Sequence, residues 1–180
     1  MKKFKKITTV GVLTLTLTGC VSPVKATPIV AKPAIAISTK TEPDLMEKIQ
    51  LGANTTKIQN MIKSVKKHVG KTWYVFSGAS PAGWDCSGLT MWAYEQIGVT
   101  LEHRASKQQV SGTKVKEPIP GDIVVFTYKG YKSAYHVGIY IGDGLMIHAP
   151  RKGEVTRIES VTAFGGNYSK ISYRRILQSL

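Results

Sequence analysis

Tyr135-His136-Val137-Gly138-Ile139-Tyr140-Ile141-Gly142-Asp143-Gly144-Leu145-Met146-Ile147-His148-Ala149 is the stretch on which the reading of this chain turns. Apolar residues alternate on both sides of a Gly-Asp-Gly turn signal, the pattern of a β-hairpin with one buried face. A three-residue loop, Gly142 to Gly144, pairs Ile141 with Leu145, Ile139 with Ile147 and Val137 with Ala149. That register gathers the apolar side chains on one face, as a half-buried sheet requires. Gly144 then supplies the positive φ expected at the last loop position. A two-residue loop slips the register by one and sets apolar residues against polar ones, so the three-residue loop is expected. His136 and His148 are thereby placed on a shared face as diagonal neighbours, roughly 7–8 Å apart and able to address one site.

Outward from the hairpin, further short β-branched or aromatic runs cover 122–128, 155–158 and 171–177, separated by Gly, Pro or charged turns. Helices precede them. Ile58, Met61, Ile62, Val65 and Val69 fall at helical spacing with Lys57, Lys63, Lys66 and Lys67 on the other side, and Gly70 is the stop. A second helix begins close to Cys86, with Leu89, Trp92, Ala93 and Ile97 as its apolar stripe and Gly98 as its C-terminal cap. Helices followed by consecutive strands give an α+β domain with a mainly antiparallel sheet.

Gly83-Trp84-Asp85-Cys86-Ser87-Gly88 runs from a Gly/Ser/Pro-rich loop into that second helix. A thiol at a helix start meets unpaired N–H groups and the positive end of the helix dipole, which favour thiolate. The same N–H groups can receive the oxyanion of an acyl transfer. Asp85 opposes this if its charge faces the sulfur, so it is expected to point at the helix start or at a substrate.

The N-terminus reads as an export leader. Met1 to Lys6 is a basic n-region and Ile7 to Gly19 a short apolar stretch, well below the roughly 20 residues that span a bilayer. Residues 1–26 are assigned as a signal peptide, with two competing ends: a lipobox-like Leu17-Thr18-Gly19-Cys20 that would leave Cys20 acylated, or ordinary cleavage after Val24-Lys25-Ala26. Residues 27–53, rich in Pro, Thr, Ala and Lys, are expected to form an extended tether, and 54–180 the domain. Either processing route leaves Cys86 without an intramolecular partner in an exported chain, where cysteines usually pair. The composition, 42% hydrophobic and 20% charged, excludes a disordered chain. The net charge of +14 favours anionic partners, an acidic wall polymer or acidic lipid, without selecting one. Nucleic acid is not expected, and a monomer is.

Several blocks together carry a resemblance. Tyr74-Val75-Phe76-Ser77-Gly78, Asp85-Cys86-Ser87-Gly88, Arg104-Ala105-Ser106 with Gln108, Pro120-Gly121-Asp122, His136 to Gly142 and Ile147-His148-Ala149-Pro150 resemble the NlpC family of papain-like cell-wall cysteine peptidases, from about Ile58 to the C-terminus. The resemblance implies a papain-like fold with Cys86 as nucleophile, His136 as its base and His148 orienting His136. It also implies hydrolysis of peptidoglycan stem peptides, usually at the amide between γ-linked D-glutamate and the following diamino acid. Tyr74, Trp84, Asp85 and Ser87 are implied to line the substrate groove, and no cofactor is called for. Trp73, Phe76, Ser77 and His103 depart from the family's usual residues and bear on the groove wall.

Other readings attach to the same residues. Cys86, His136 and His148 as a zinc set lack CxxC or HxxxH spacing, and no metal is expected. His68 and His103 match no catalytic block and are expected at the surface. Rival functions are a wall-binding domain of the same fold without turnover, and a related amidase or acyltransferase.

Overall fold

The computed structural model describes residues 41–178; the leader and the tether up to residue 40 lie outside them. Helix α1 spans Thr41–Lys66, with Glu42 and Asp44 in its first turn and Lys63 and Lys66 in its last, the arrangement that complements the helix dipole. Its second half buries Ile58, Met61, Ile62 and Val65, while Leu45, Met46 and Ile49 in the first half stay exposed. The expected extended tether is therefore corrected over 41–53, which is helical. Once the packed half has nucleated the helix, adding residues at its N-terminal side fixes one residue per new hydrogen bond.

A small hairpin follows, β1 (Ala79–Ser80) with β2 (Gly83–Trp84), and leads into α2 (Cys86–Glu95). Gly98, at φ +79°, ends that helix as anticipated. The short α3 (Ala105–Gln108) precedes the strands β3 (Thr113–Val115), β4 (Ile123–Tyr128), β5 (Ala134–Gly142), β6 (Leu145–His148), β7 (Arg157–Ser160) and β8 (Ser169–Arg175), with α4 (Val161–Gly165) between the last two. The strands form one antiparallel sheet in the order β3-β8-β4-β5-β6-β7. The α+β class is as the sequence implies.

Alternation along β4 divides the core in two. Ile123 and Val125 join Val137, Ile139 and Ile147 against α1 and α2, whereas Val124 and Phe126 join Met146 and Val161 on the other side. The sheet is thus covered on both faces at its centre and is not half-exposed. The second cover is α4, a five-residue helix N-capped by Ser160 and carrying Phe164, too short to show helical periodicity in the sequence.

The hairpin corrects one expectation and preserves its consequence. Ile139 faces Ile147 and Tyr140 faces Met146, but the next pair is Gly142 with Leu145, leaving Ile141 as an extra residue in a bulge. The loop is the two residues Asp143 and Gly144, at φ +53° and +71°, the mirror-image turn suited to strand twist. The bulge absorbs the one-residue slip that a two-residue loop would otherwise impose. Two strands also begin two residues from where alternation puts them. At β7 the reason is visible: Thr156 donates its N–H to Thr72 O and accepts from Gly70 N, so 155–156 pair with the loop after α1 instead of with β6.

Candidate active site

Local chemistry fixes the nucleophile end. Asp85 is the N-cap of α2: Oδ1 accepts from Gly88 N at 2.8 Å and from Ser87 Oγ at 2.9 Å, and Oδ2 accepts from Ser77 N at 3.1 Å. His103 Nε2 lies 3.0 Å from the same Oδ1. The carboxylate thus points at the helix start. Gly88 is required by a close approach, since a Cβ there would overlap the carbonyl oxygen of Gly78. Gln108, fully buried, bonds Ser87 O and Thr90 Oγ1 and ties α3 to α2.

Cys86 sits in this start, mostly buried, with backbone N–H groups of Val137, Ser87 and Cys86 at its sulfur. Burial pushes the thiol up to about 11; those N–H groups pull it down, and Asp85 adds to the rise. The expected helix-start stabilisation of thiolate is present but outweighed, because desolvation penalises the charged form more than the N–H groups favour it. Tyr74 stands beside Cys86 and Asp85, its phenol raised first by burial and then by those two groups.

The histidine end is assembled from three strands. His136 Nε2 lies 2.9 Å from His148 Nδ1, and His148 Nε2 lies 3.0 Å from Glu159 Oε2. Glu159 is held by Nε and Nη2 of Arg157, whose Nη1 donates to Glu154. A carboxylate only accepts, so His148 donates from Nε2; its Nδ1 then accepts from His136 Nε2–H, leaving His136 Nδ1 with a free lone pair. Phe164 lies 4.5 Å from the His136 ring and 4.7 Å from that of His148. Burial holds His136 well below the usual imidazole range, and His148 adds to this. His148 is lowered to about 4 by burial, against the upward pull of Glu159. Both imidazoles are neutral near pH 7.

Of the implied groove residues, Tyr74 is partly exposed, while Asp85 and Ser87 are buried and turned to each other. Trp84 is corrected: it is fully buried, its Nε1 donates to Thr156 Oγ1 at 2.7 Å, and its ring packs on Trp92 and His68. It supports the loop from beneath and offers no surface to a substrate. His68 and His103 are half-buried and partnered, against the expectation of surface residues. Glu159 and Phe164 were not singled out by sequence reasoning. The only signal for Glu159 was alternation in a strand placed two residues too early.

A model described as the NlpC/P60 family matches residues 70–176. A probable endopeptidase of Mycobacterium tuberculosis is 40% identical over 102 residues, covering 56% of this chain and 26% of the relative. The bifunctional muramidase/DL-endopeptidase CwlT of Bacillus subtilis is 38% identical over 100 residues, 53% of this chain and 30% of its own length. The chain thus spans about a quarter to a third of these relatives. The NlpC/p60 domain of the peptidoglycan hydrolase SagA superposes with a TM-score of 0.56 at 32% identity, covering 64% of this chain and 96% of that one.

Proposed function

Because this chain belongs to the NlpC/P60 family, we propose that it is a cysteine endopeptidase that hydrolyses peptidoglycan stem peptides, with Cys86 as nucleophile, His136 as base and His148 as the group that orients it. One observation carries the reading: Glu159, His148 and His136 form a hydrogen-bonded chain across β7, β6 and β5, and the residue after His136 on β5, Val137, brings its N–H to the Cys86 sulfur. A papain-like site needs the same three functions, a thiol, an imidazole and a group that fixes the imidazole's tautomer.

With the thiol raised by burial, resting thiolate is scarce and proton transfer accompanies attack. His136 Nδ1 takes the proton as Sγ bonds to the amide carbonyl carbon. The N–H groups of Cys86 and Ser87, with the Tyr74 hydroxyl, are the donors for the oxyanion. Collapse breaks the C–N bond, and imidazolium His136 protonates the leaving amine. Water, deprotonated by the same imidazole, then hydrolyses the thioester and restores the thiol.

The bond favoured is the amide between γ-linked D-glutamate and the diamino acid, supported by the family resemblance and by the DL-endopeptidase named in the Bacillus relative. The leader supports export, free or through an acylated Cys20. Mass spectrometry of fragments released from purified peptidoglycan tests the reading. Cleavage at that amide by the wild type and none by Cys86→Ala is expected; lysis retained by Cys86→Ala overturns it.

A further inference from the structure

Four cations meet in a cavity that the proposed chemistry does not use. Lys114 of β3, Lys170 and Arg174 of β8 and Lys132 of the β4–β5 turn line a concave site of about 230 Å³. The sheet register explains the convergence: Lys114 faces Arg174, and residues 170, 172 and 174 alternate onto one side of β8. Gln109 holds the backbone of the turn that carries the fourth cation, since its side chain accepts from Ala134 N and donates to Lys132 O, clamping the turn to α3.

No carboxylate among the described residues lines this cavity. Among the described residues, none of the four cations has an ion-pair partner. The adjacent Arg175 shows the contrast, with Nε and Nη2 both on Asp122. Arg174 Nε is buried and has no hydrogen-bond partner among the described residues. A buried donor without an acceptor and four like charges in one cavity both raise the free energy of the empty site. An anion with several acceptor oxygens relieves both. A guanidinium, ammonium groups and the hydroxyls of Thr127, Ser172 and Tyr131 match a phosphoryl group, which takes many donors at once.

The rim narrows the choice of carrier. Tyr131 at the cavity edge is 73% exposed, and Tyr128 and Tyr168 continue from it with successive ring centroids 6.2 and 6.1 Å apart. Exposed tyrosine rings beside a concave cation site suit a flexible chain that inserts its charged group and lays polyol or sugar units on the rings. A flat bilayer cannot enter such a recess.

We propose that this cavity binds the phosphoryl groups of an anionic phosphodiester polymer of the cell wall and so holds the enzyme on its substrate layer. The phosphoryl site stands on its own geometry; the choice of a wall polymer rests on the function proposed above. The test follows the Arg174 Nε–Hε signal by NMR while inorganic phosphate, a glycerol-phosphate oligomer, a single-stranded oligonucleotide of equal charge and acetate are added at matched ionic strength. Saturable shifts with phosphate and the oligomer, but not acetate, are expected. At least tenfold weaker oligomer binding by Lys132→Gln/Lys170→Gln, two exposed substitutions, is also expected. Equal response to acetate reduces the cavity to a screened basic surface and overturns the proposal. So does oligonucleotide binding as tight as the oligomer's, or capture by anionic phospholipid vesicles that outcompetes it. The variant should cleave soluble stem-peptide fragments at the wild-type rate; loss of that turnover would make the cavity part of the catalytic groove and overturn the proposal. A wild type that binds phosphate yet cleaves no stem peptide refutes the catalytic reading alone.

Discussion

The start of α2 and the His136–His148–Glu159 chain supply the two halves of one proposed site, and they are built differently. At α2, capping residue, thiol and close-packed glycine lie within Asp85 to Gly88, and Asp85 satisfies N–H groups of its own helix and of the loop before it. At the histidines, each member comes from a different strand, β5, β6 or β7, and each is oriented by the next. The first half is a local structure, with the backbone of Ser77 and Gly78 brought against it. The second exists only if three strands hold their register and α4 covers them. The thiol should therefore tolerate errors far along the chain that the imidazoles do not.

The largest expected effect removes the nucleophile: Cys86→Ala should lower turnover by at least about 10⁴-fold with an unchanged thermal melt. His136→Ala should match it in rate. A loss in His136→Ala much smaller than in Cys86→Ala would break the pairing of the two halves. Next comes Glu159→Gln. An amide can donate as well as accept, so the tautomers of His148 and His136 are no longer dictated. A loss in kcat on the order of tenfold is expected, below the roughly 10²–10⁴-fold of a general base, with little change in KM and a displaced acid limb in the pH–rate profile. An unaltered profile would reduce Glu159 to a structural residue.

Stability measurements sharpen the comparison. Trp84→Ala should cost about 3–5 kcal/mol in denaturant unfolding, because that indole is core; a loss of affinity without destabilisation would restore it to the groove. Asp85→Ala should cost about 1 kcal/mol or more as a lost cap. Asp85→Asn keeps one acceptor oxygen for Gly88 N, loses the acceptor for Ser77 N, and removes the charge that raises the Cys86 thiol, so thiol alkylation should quicken. The smallest effect concerns pH. The histidines titrate near 6.5 when unfolded, and in the fold His148 is lowered to about 4. Their contribution is full above 6.5 and is lost as pH falls toward 4, since the unfolded chain binds those protons first. His148→Gln should make the decline between those values shallower.

The hairpin shows why legibility stopped where it did. Apolar alternation placed both histidines on one face, and that survives although the loop has two residues, because the bulge at Ile141 restores the register. Alternation reports which side chains face inward, not where the extra residue goes. At β7 it failed for another reason: Thr156 is claimed by Thr72, 84 residues earlier in the chain, a long-range contact that local pattern does not register. Glu159 was lost with that strand.

The sequence by itself determined the helix-start thiol, the shared face of His136 and His148, the α+β class and the resemblance that names the family. Each depends on neighbouring residues or on period-two patterning, and both are written in consecutive positions. Tertiary structure alone decided the carboxylate behind His148, the cover of Phe164, the burial of Trp84 and the convergence of Lys114, Lys132, Lys170 and Arg174. It also decided the state of the thiol, which a helix start favours as an anion and burial holds as a neutral group. Desolvation depends on everything packed around the sulfur, and no run of neighbouring residues encodes it.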